Sequence, residues 1–244
     1  MIGSSTSRPL GWLGAAMAVA VVLQSLDPFG PLPPAVASAS SQEPSVDDSR
    51  RGKTGTVRGT FTSHQRLLTR GATSQRDVVV YLRSTEEEQH APPQEPAVVT
   101  QKQLQFHPHV LPLLRGTPIR FVNEDGVDHN VFSTEECCAI DLDMPPHTTK
   151  EITALRDCVA SVVCRLHPEM SLWIVVLDNP WFAHVELEKD KQGDVRIYSA
   201  EYSIRDVPPG TYALTFWNKK LRPMEFPVVV KPDSETVQDV VIEE

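Results

Sequence analysis

The sequence predicts an all-β protein built as two sandwiches, and three observations carry that expectation. Apolar stretches rich in Val and Ile run for roughly four to eight residues and are cut by Gly, Pro, Asp and Asn, the pattern of strands and turns. Almost nothing repeats with the period of an amphipathic helix. The candidate strands number about a dozen, too many for one small sandwich and enough for two that share an interface.

The N-terminal residues 1–39 stand apart from this pattern. Arg8 is the only charge ahead of an alanine-rich apolar stretch from Leu10 to Leu23, and small residues follow at Ala35-Val-Ala-Ser-Ala-Ser40. This reads as an export signal cut after Ala37 or Ala39. The long gap between apolar stretch and cut leaves an uncleaved anchor open, although the stretch is short for a bilayer span of about 20 residues. Either way the chain is expected to be exported, periplasmic or otherwise extracytoplasmic. Residues 40–53 are rich in Ser, Asp and Arg with little to bury, and read as a disordered linker.

About 190 residues remain, enough for two small domains with cores of their own. In order, the candidate strands are Thr54–Thr62, Asp77–Leu82, Gln101–Phe106, Pro118–Val122, Asn130–Phe132 and Lys150–Ala154. Ala160–Cys164, Leu172–Leu177, Ala183–Leu187, Glu201–Arg205, Thr211–Trp217 and Pro227–Lys231 complete the set. The formal charge of −9 falls almost wholly in this part of the chain. That surface disfavours nucleic acid and anionic membrane, and a protein that docks electrostatically should be basic.

The chemistry is concentrated at Cys164-Arg-Leu-His167-Pro-Glu-Met170, with Asp128-His129-Asn130 upstream. One thiolate, two imidazoles and one thioether are the donor set of a blue-copper electron-transfer centre. Taken singly, Cys164, His167 and Met170 could be a buried thiol, a turn histidine and a core gap-filler. Their fixed spacing after the run Ala160-Ser-Val-Val argues for a site. Zinc is disfavoured, because structural zinc sites rarely use a thioether.

The stretch from about Gln103 to Asp178 resembles the cupredoxins, small type I blue-copper domains with an amicyanin- or plastocyanin-like Greek-key sandwich. The resemblance is carried by Phe106-His-Pro108, Gly116-Thr-Pro-Ile-Arg-Phe-Val-Asn123, His129-Asn130 and Val162-Val-Cys164-Arg-Leu-His167-Pro-Glu-Met170. It implies that His129, Cys164 and His167 are equatorial ligands of one copper ion and Met170 the weak axial one. It further implies single-electron transfer by Cu(I)/Cu(II) cycling with a redox protein partner, and no catalysis. Four protein ligands leave no open position for substrate, and His167, in the loop, is the ligand edge expected to face solvent. The competing reading is a copper-binding or adhesion sandwich with no role in electron transfer. A multicopper oxidase or nitrite reductase needs further His-x-His pairs, and His107-Pro-His109 is the only one.

The C-terminal segment Asp206-Val-Pro-Pro-Gly-Thr-Tyr212 resembles the turn and strand of carboxypeptidase regulatory-like, transthyretin-type (prealbumin-like) sandwiches. The Gly-x-Val and Val-Val-Tyr-Leu strands that begin such a domain stand far upstream, at Gly55–Phe61 and Asp77–Leu82. The copper domain, residues 98–178, is therefore expected as an insertion between residues 54–83 and 179–244, with a simple tandem as the alternative. In the turn itself, the prolines fix φ and Gly210 is expected to take the positive φ that reverses the chain. Tyr81, Trp181 and Trp217 read as core or interdomain aromatics. With Cys164 set aside, Cys137, Cys138 and Cys158 remain, and Cys158 is expected to pair with one of the other two. A second copper site at Cys137-Cys138 stays open with no ligands assigned, and His107, His109, His147 and His184 read as scattered.

Overall fold

The computed structural model describes residues 53–63, 76–84, 89–154, 156–192 and 195–242. The expected leader and nearly all of the expected linker lie outside them. Among the described residues no helix is long and apolar enough to cross a membrane, and the chain is built almost wholly of strands.

The middle of the chain supplies β3 (Ala97–Lys102), β4 (Gln105–His107), β5 (Val110–Leu114), β6 (Pro118–Asn123) and β7 (His129–Ser133). It continues with β8 (Ile140–Met144), β9 (Thr149–Thr153), β10 (Cys158–Val163) and β11 (Ser171–Leu177). They form two sheets, ordered β5-β11-β10-β7-β8 and β4-β3-β6-β9. Alternation decides what each strand buries. In β6, Ile119, Phe121 and Asn123 point inward while the residues between them are partly exposed. The core so enclosed runs from Val99, Phe106 and Phe121 to Val131, Met144, Ile174 and, at one end, Cys164 and Met170.

The flanking segments build a second sandwich. They are β1 (Gly55–Ser63), β2 (Asp77–Ser84), β12 (Phe182–Glu186), β13 (Glu188–Gln192) and β14 (Val195–Val207), then β15 (Gly210–Trp217), β16 (Met224–Val230), β17 (Glu235–Val237) and β18 (Val240–Ile242). One sheet is ordered β13-β14-β1-β17 with β18 also beside β1; the other is β12-β2-β15-β16. Strand β2 pairs with β15 and β12, so the chain leaves this sandwich after β2 and rejoins it at β12.

Two strands are apolar on both faces, and that joins the sandwiches. In β2, Val78, Val80 and Leu82 enter the outer core, while Val79 packs the other way. In β11, Leu172, Ile174 and Val176 enter the central core, while Val175 and Leu177 meet Val79, Val110 and Trp217. Trp173 and Trp217 face each other there with ring centroids 5.8 Å apart. Continuous apolar runs such as Val78–Leu82 are what strands covered on both faces require. Full burial of each such side chain contributes about 1.5–3 kcal/mol. Trp181 lies in the outer core, whereas Tyr81 and Trp217 line the contact between sandwiches.

Two expectations need correction, and strand β5 escaped the sequence reading. Gln101–Phe106 is not one strand but a tight hairpin, β3 to β4, turning through Gln103 (φ 54°) and Leu104 (φ 57°). Strand β5 was hidden by Pro112, which the sheet tolerates because β5 is an edge strand. In the Pro-Pro-Gly turn, the positive φ belongs to Asp206 (57°) and not to Gly210. Gly210 instead leaves room for Tyr212, whose ring would lie 3.2 Å from any Cβ there, while the Tyr212 hydroxyl donates to the Pro208 carbonyl (3.0 Å).

Candidate metal centre

The site sits at one end of the central sandwich. Strand β10 ends at Val163, and the next residue, Cys164, is buried with 1% exposure. The chain turns back at once, with Met170 N donating to the His167 carbonyl (3.0 Å) and Cys164 N to the Met170 carbonyl (3.2 Å). These two bonds close the loop and fix the spacing of Cys164, His167 and Met170. His129 opens β7 and is equally buried, whereas His167 is half-buried beside the exposed Leu166.

The Sγ of Cys164 and one ring nitrogen each of His129 and His167 lie within 4.8 Å of one another. His129 Nδ1 is 3.1 Å from His167 Nδ1, which is 3.7 Å from the sulfur. Three donors about 2.0–2.3 Å from one ion in a trigonal plane stand roughly 3.5–4 Å apart, so the present spacing accepts a metal with small rotamer adjustments. Met170 is buried at 1% exposure and belongs to the same core as Cys164.

Asp125 sets the chemistry of His129. Its carboxylate accepts from His129 Nε2 (2.9 Å) and from the backbone N–H groups of Gln103 (2.7 Å) and Leu104 (3.0 Å). Burial pushes its pKa up, but the bonds from Leu104, His129 and Gln103 outweigh this and hold it below the ordinary value. An ionised carboxylate can only accept, so Nε2 carries the proton and Nδ1 presents its lone pair to the cluster. Carboxylate support of this kind fixes tautomer and ring orientation at metal-binding histidines. It also explains the β3–β4 turn: Asp125 binds both N–H groups of the two residues held at positive φ.

Asn130 ties the ligand segments together. Its backbone N–H donates to Cys164 Sγ (3.3 Å), and its side-chain amide donates to Asp141 Oδ1 (3.1 Å) and the Leu142 carbonyl (3.2 Å). Arg165 Nε donates in turn to Asn130 Oδ1 (3.4 Å), and the same guanidinium pairs with Asp141 and lies 4.1 Å over the Phe132 ring. The ligand loop is thus clamped to the β7–β8 hairpin on its outer side.

Cys137 pairs with Cys158, which removes Cys137 from metal chemistry. Cys138 is buried, and burial pushes its pKa up to about 11, a protonated and inert thiol. Among the described residues His107, His109, His147 and His184 join no metal-binding group. His184 Nε2 instead meets Asp77 (2.9 Å).

Sequence reasoning passed over Asp125, because a loop acid four residues before a histidine carries no signal until the hairpin folds over it. It also passed over Gln101, a strand residue at 0% exposure with no hydrogen-bond partner for either amide atom.

No protein-family model matches the chain, and no curated protein does. Solved structures similar to part of it include a copper-containing nitrite reductase from Thermus scotoductus, at 23% identity over 35% of this chain with a TM-score of 0.32. The matched region is only 23% of that reductase. A purple cupredoxin from Nitrosopumilus maritimus is similar at 19% identity, over 33% of this chain and 99% of its own, with a TM-score of 0.30. A reduced amicyanin variant is similar at 18% identity, over 40% of this chain and 98% of its own, with a TM-score of 0.32.

Proposed function

We propose that this protein is an extracytoplasmic blue-copper electron carrier, its ion held by His129, Cys164 and His167 with Met170 as weak axial donor. The observation that carries the reading is the mutual approach of one sulfur and two imidazole nitrogens, with His129 oriented by Asp125 and the sulfur bonded by Asn130 N–H. A copper ion bound there supplies a one-electron Cu(I)/Cu(II) couple. The chain's part is to keep the donors fixed through the redox change. Asp125 holds His129, Asn130 N–H bonds the sulfur, and Arg165 and Asp141 restrain the loop. Half-buried His167 is the edge nearest a docking protein, and the acidic chain favours a basic redox partner.

The same reading covers the rest of the chain. Residues 1–39 serve as export signal or membrane anchor and 40–53 as tether. Residues 98–178 form the copper domain, and 54–83 with 179–244 form a carboxypeptidase regulatory-like sandwich around it. The donor set and its buried, prearranged geometry favour this over a purely adhesive module.

The test is Cu(II) titration of the purified protein with optical and electron paramagnetic spectra. An intense visible thiolate-to-copper band, absent in Cys164→Ser, is expected, together with reversible one-electron voltammetry. A protein that binds stoichiometric copper without colour refutes the electron-carrier reading.

A further inference from the structure

A cleft of about 650 Å³ opens where the two sandwiches meet beside the ligand loop. The outer sandwich contributes Asp77, at the start of β2, and Glu186, at the end of β12. The central sandwich contributes the β3–β4 hairpin, His109 and the loop residues Glu169 and Met170. Its size is that of a small-molecule site, and such sites favour the seams between domains.

The walls are rich in hydrogen-bond acceptors. Asp77, Glu169 and Glu186 bring three carboxylates, and no Lys or Arg stands among the lining residues. Cations outside the lining offset part of that charge: Arg76 pairs with Glu186 (3.0 Å), and Lys219 lies close enough to act on Asp77 and His109. Glu169 is exposed and, among the described residues, has no partner for its charge. His109 adds a nitrogen. Its Nε2 is shielded from solvent and has no hydrogen-bond partner, so the bond that the ring makes to the Ser171 backbone falls to Nδ1. Burial, then Lys219, hold the pKa of His109 below its ordinary value and keep the ring neutral at neutral pH. A neutral imidazole that donates from Nδ1 to a carbonyl carries its lone pair on Nε2. Native proteins seldom bury such an acceptor without a use for it. The floor of the cleft is apolar, with Phe106 at 2% and Met170 at 1% exposure.

We propose that this cleft binds a small organic ammonium ion, its N–H groups donating to the wall carboxylates and His109 Nε2 and its apolar body lying on Phe106 and Met170. An ammonium is all donor, the complement of walls that offer carboxylates and a lone pair. The cleft also meets the candidate metal site twice. Met170 is the expected axial donor, and Gln103 and Leu104, whose N–H groups hold the Asp125 that orients His129, line the cleft as well. A cation bound there disfavours the more highly charged Cu(II), so occupancy raises the reduction potential. By linkage, the reduced protein holds the ammonium more tightly by the same factor. Binding rests on the cleft alone; the change in potential rests on the copper reading.

The experiment uses the full-length protein and three probes of one size: n-hexylammonium, 1-hexanol and hexanoate. Calorimetry on the metal-free wild type should show hexylammonium bound at least about tenfold more tightly than either of the others. Asp77→Asn should weaken hexylammonium about tenfold and Glu169→Lys about fivefold, with hexanol unchanged in both. Position 169 is exposed, so Glu169→Lys should keep the wild-type melting temperature and its loss of binding cannot be a folding defect. Equal affinity for the three probes, or wild-type hexylammonium affinity in Glu169→Lys, overturns the inference and leaves the copper reading standing. In the copper-loaded protein, hexylammonium should raise the potential of the wild type more than that of Glu169→Lys. A potential that does not move at saturating hexylammonium overturns the coupling. A colourless copper-loaded wild type overturns the copper reading, while the metal-free titration still decides for or against the cleft.

Discussion

Both sandwiches bury polar side chains, but among the described residues only the central one turns some of them toward each other. In the outer one, Asn179 donates to the Leu82 carbonyl (2.8 Å) and accepts from Trp181 N (3.0 Å), while Asn218 donates to the Asp77 carbonyl (2.8 Å) and accepts from Lys220 N (2.8 Å). Each clamps a loop and is consumed in doing so. Around them the core closes on aromatics, with Phe216 against Phe61 (5.2 Å), Tyr202 (5.4 Å) and Phe226 (5.9 Å). In the central sandwich Asn123 and Asn130 are spent on carbonyls in the same way, at Met144 and Leu142, but beside them His129, His167 and Cys164 turn their donor atoms toward one another. Buried polarity satisfied by main chain marks architecture. Buried polarity with converging lone pairs marks a site.

The sharpest way to break this contrast is Cys164→Ala. Loss of a supporting residue at a metal site typically costs 10–100-fold in affinity; removing the thiolate should exceed about 100-fold and abolish the visible band, by titration and spectroscopy. Phe216→Ala tests the other side. It should cost about 3–5 kcal/mol of stability in denaturant melts while the copper spectrum per folded molecule stays the same. If the colour faded in step with the outer sandwich, the two would be one cooperative unit and the contrast would fail.

Asp125→Asn comes next, with an expected 10–100-fold loss of Cu(II) affinity and only a small change in the metal-free melting temperature. Gly59→Ala then probes architecture alone. A Cβ at Gly59 would stand 2.0 Å from the Gln238 carbonyl oxygen, so β17 and β18 must shift. The expected cost is about 1–3 kcal/mol with copper affinity unchanged. Met170→Leu should give the smallest effect: copper retained, with a modest rise in potential on voltammetry as the weak axial donor is lost.

Much of this was legible from residue order because strands and ligand loops are local. The runs Val78–Leu82 and Leu172–Leu177 announce strands covered on both faces, and Cys164-x-x-His167-x-x-Met170 lies in one turn. What escaped depends on contacts between distant segments. The hairpin at Gln103-Leu104 has no Gly or Asn to signal it, since Asp125 across the fold stabilises its unusual backbone. The choice of Cys137 over Cys138 as partner of Cys158 follows from which side chain the short 3-10 turn Glu136–Cys138 directs toward β10. Strand β8 alternates Ile, Asp, Leu, Asp and Met, and its acids conceal a strand whose two ends are buried. The unpaired amide of Gln101 is invisible until the strands beside it are known.

Strand β1 holds a last consequence, for synthesis. Its neighbours in the sheet are β14, β17 and β18, all formed from the final quarter of the chain. As the polypeptide emerges from the ribosome or translocon, β1 and β2 appear first and must wait, while β3–β11 can find all their own sheet partners before the rest arrives. Long-range pairing of this kind is slow, because the loop must close before any contact rewards it. The outer sandwich is therefore the last to form, and its waiting strands, with the run Val78–Leu82 among them, are where a nascent chain would need protection from self-association.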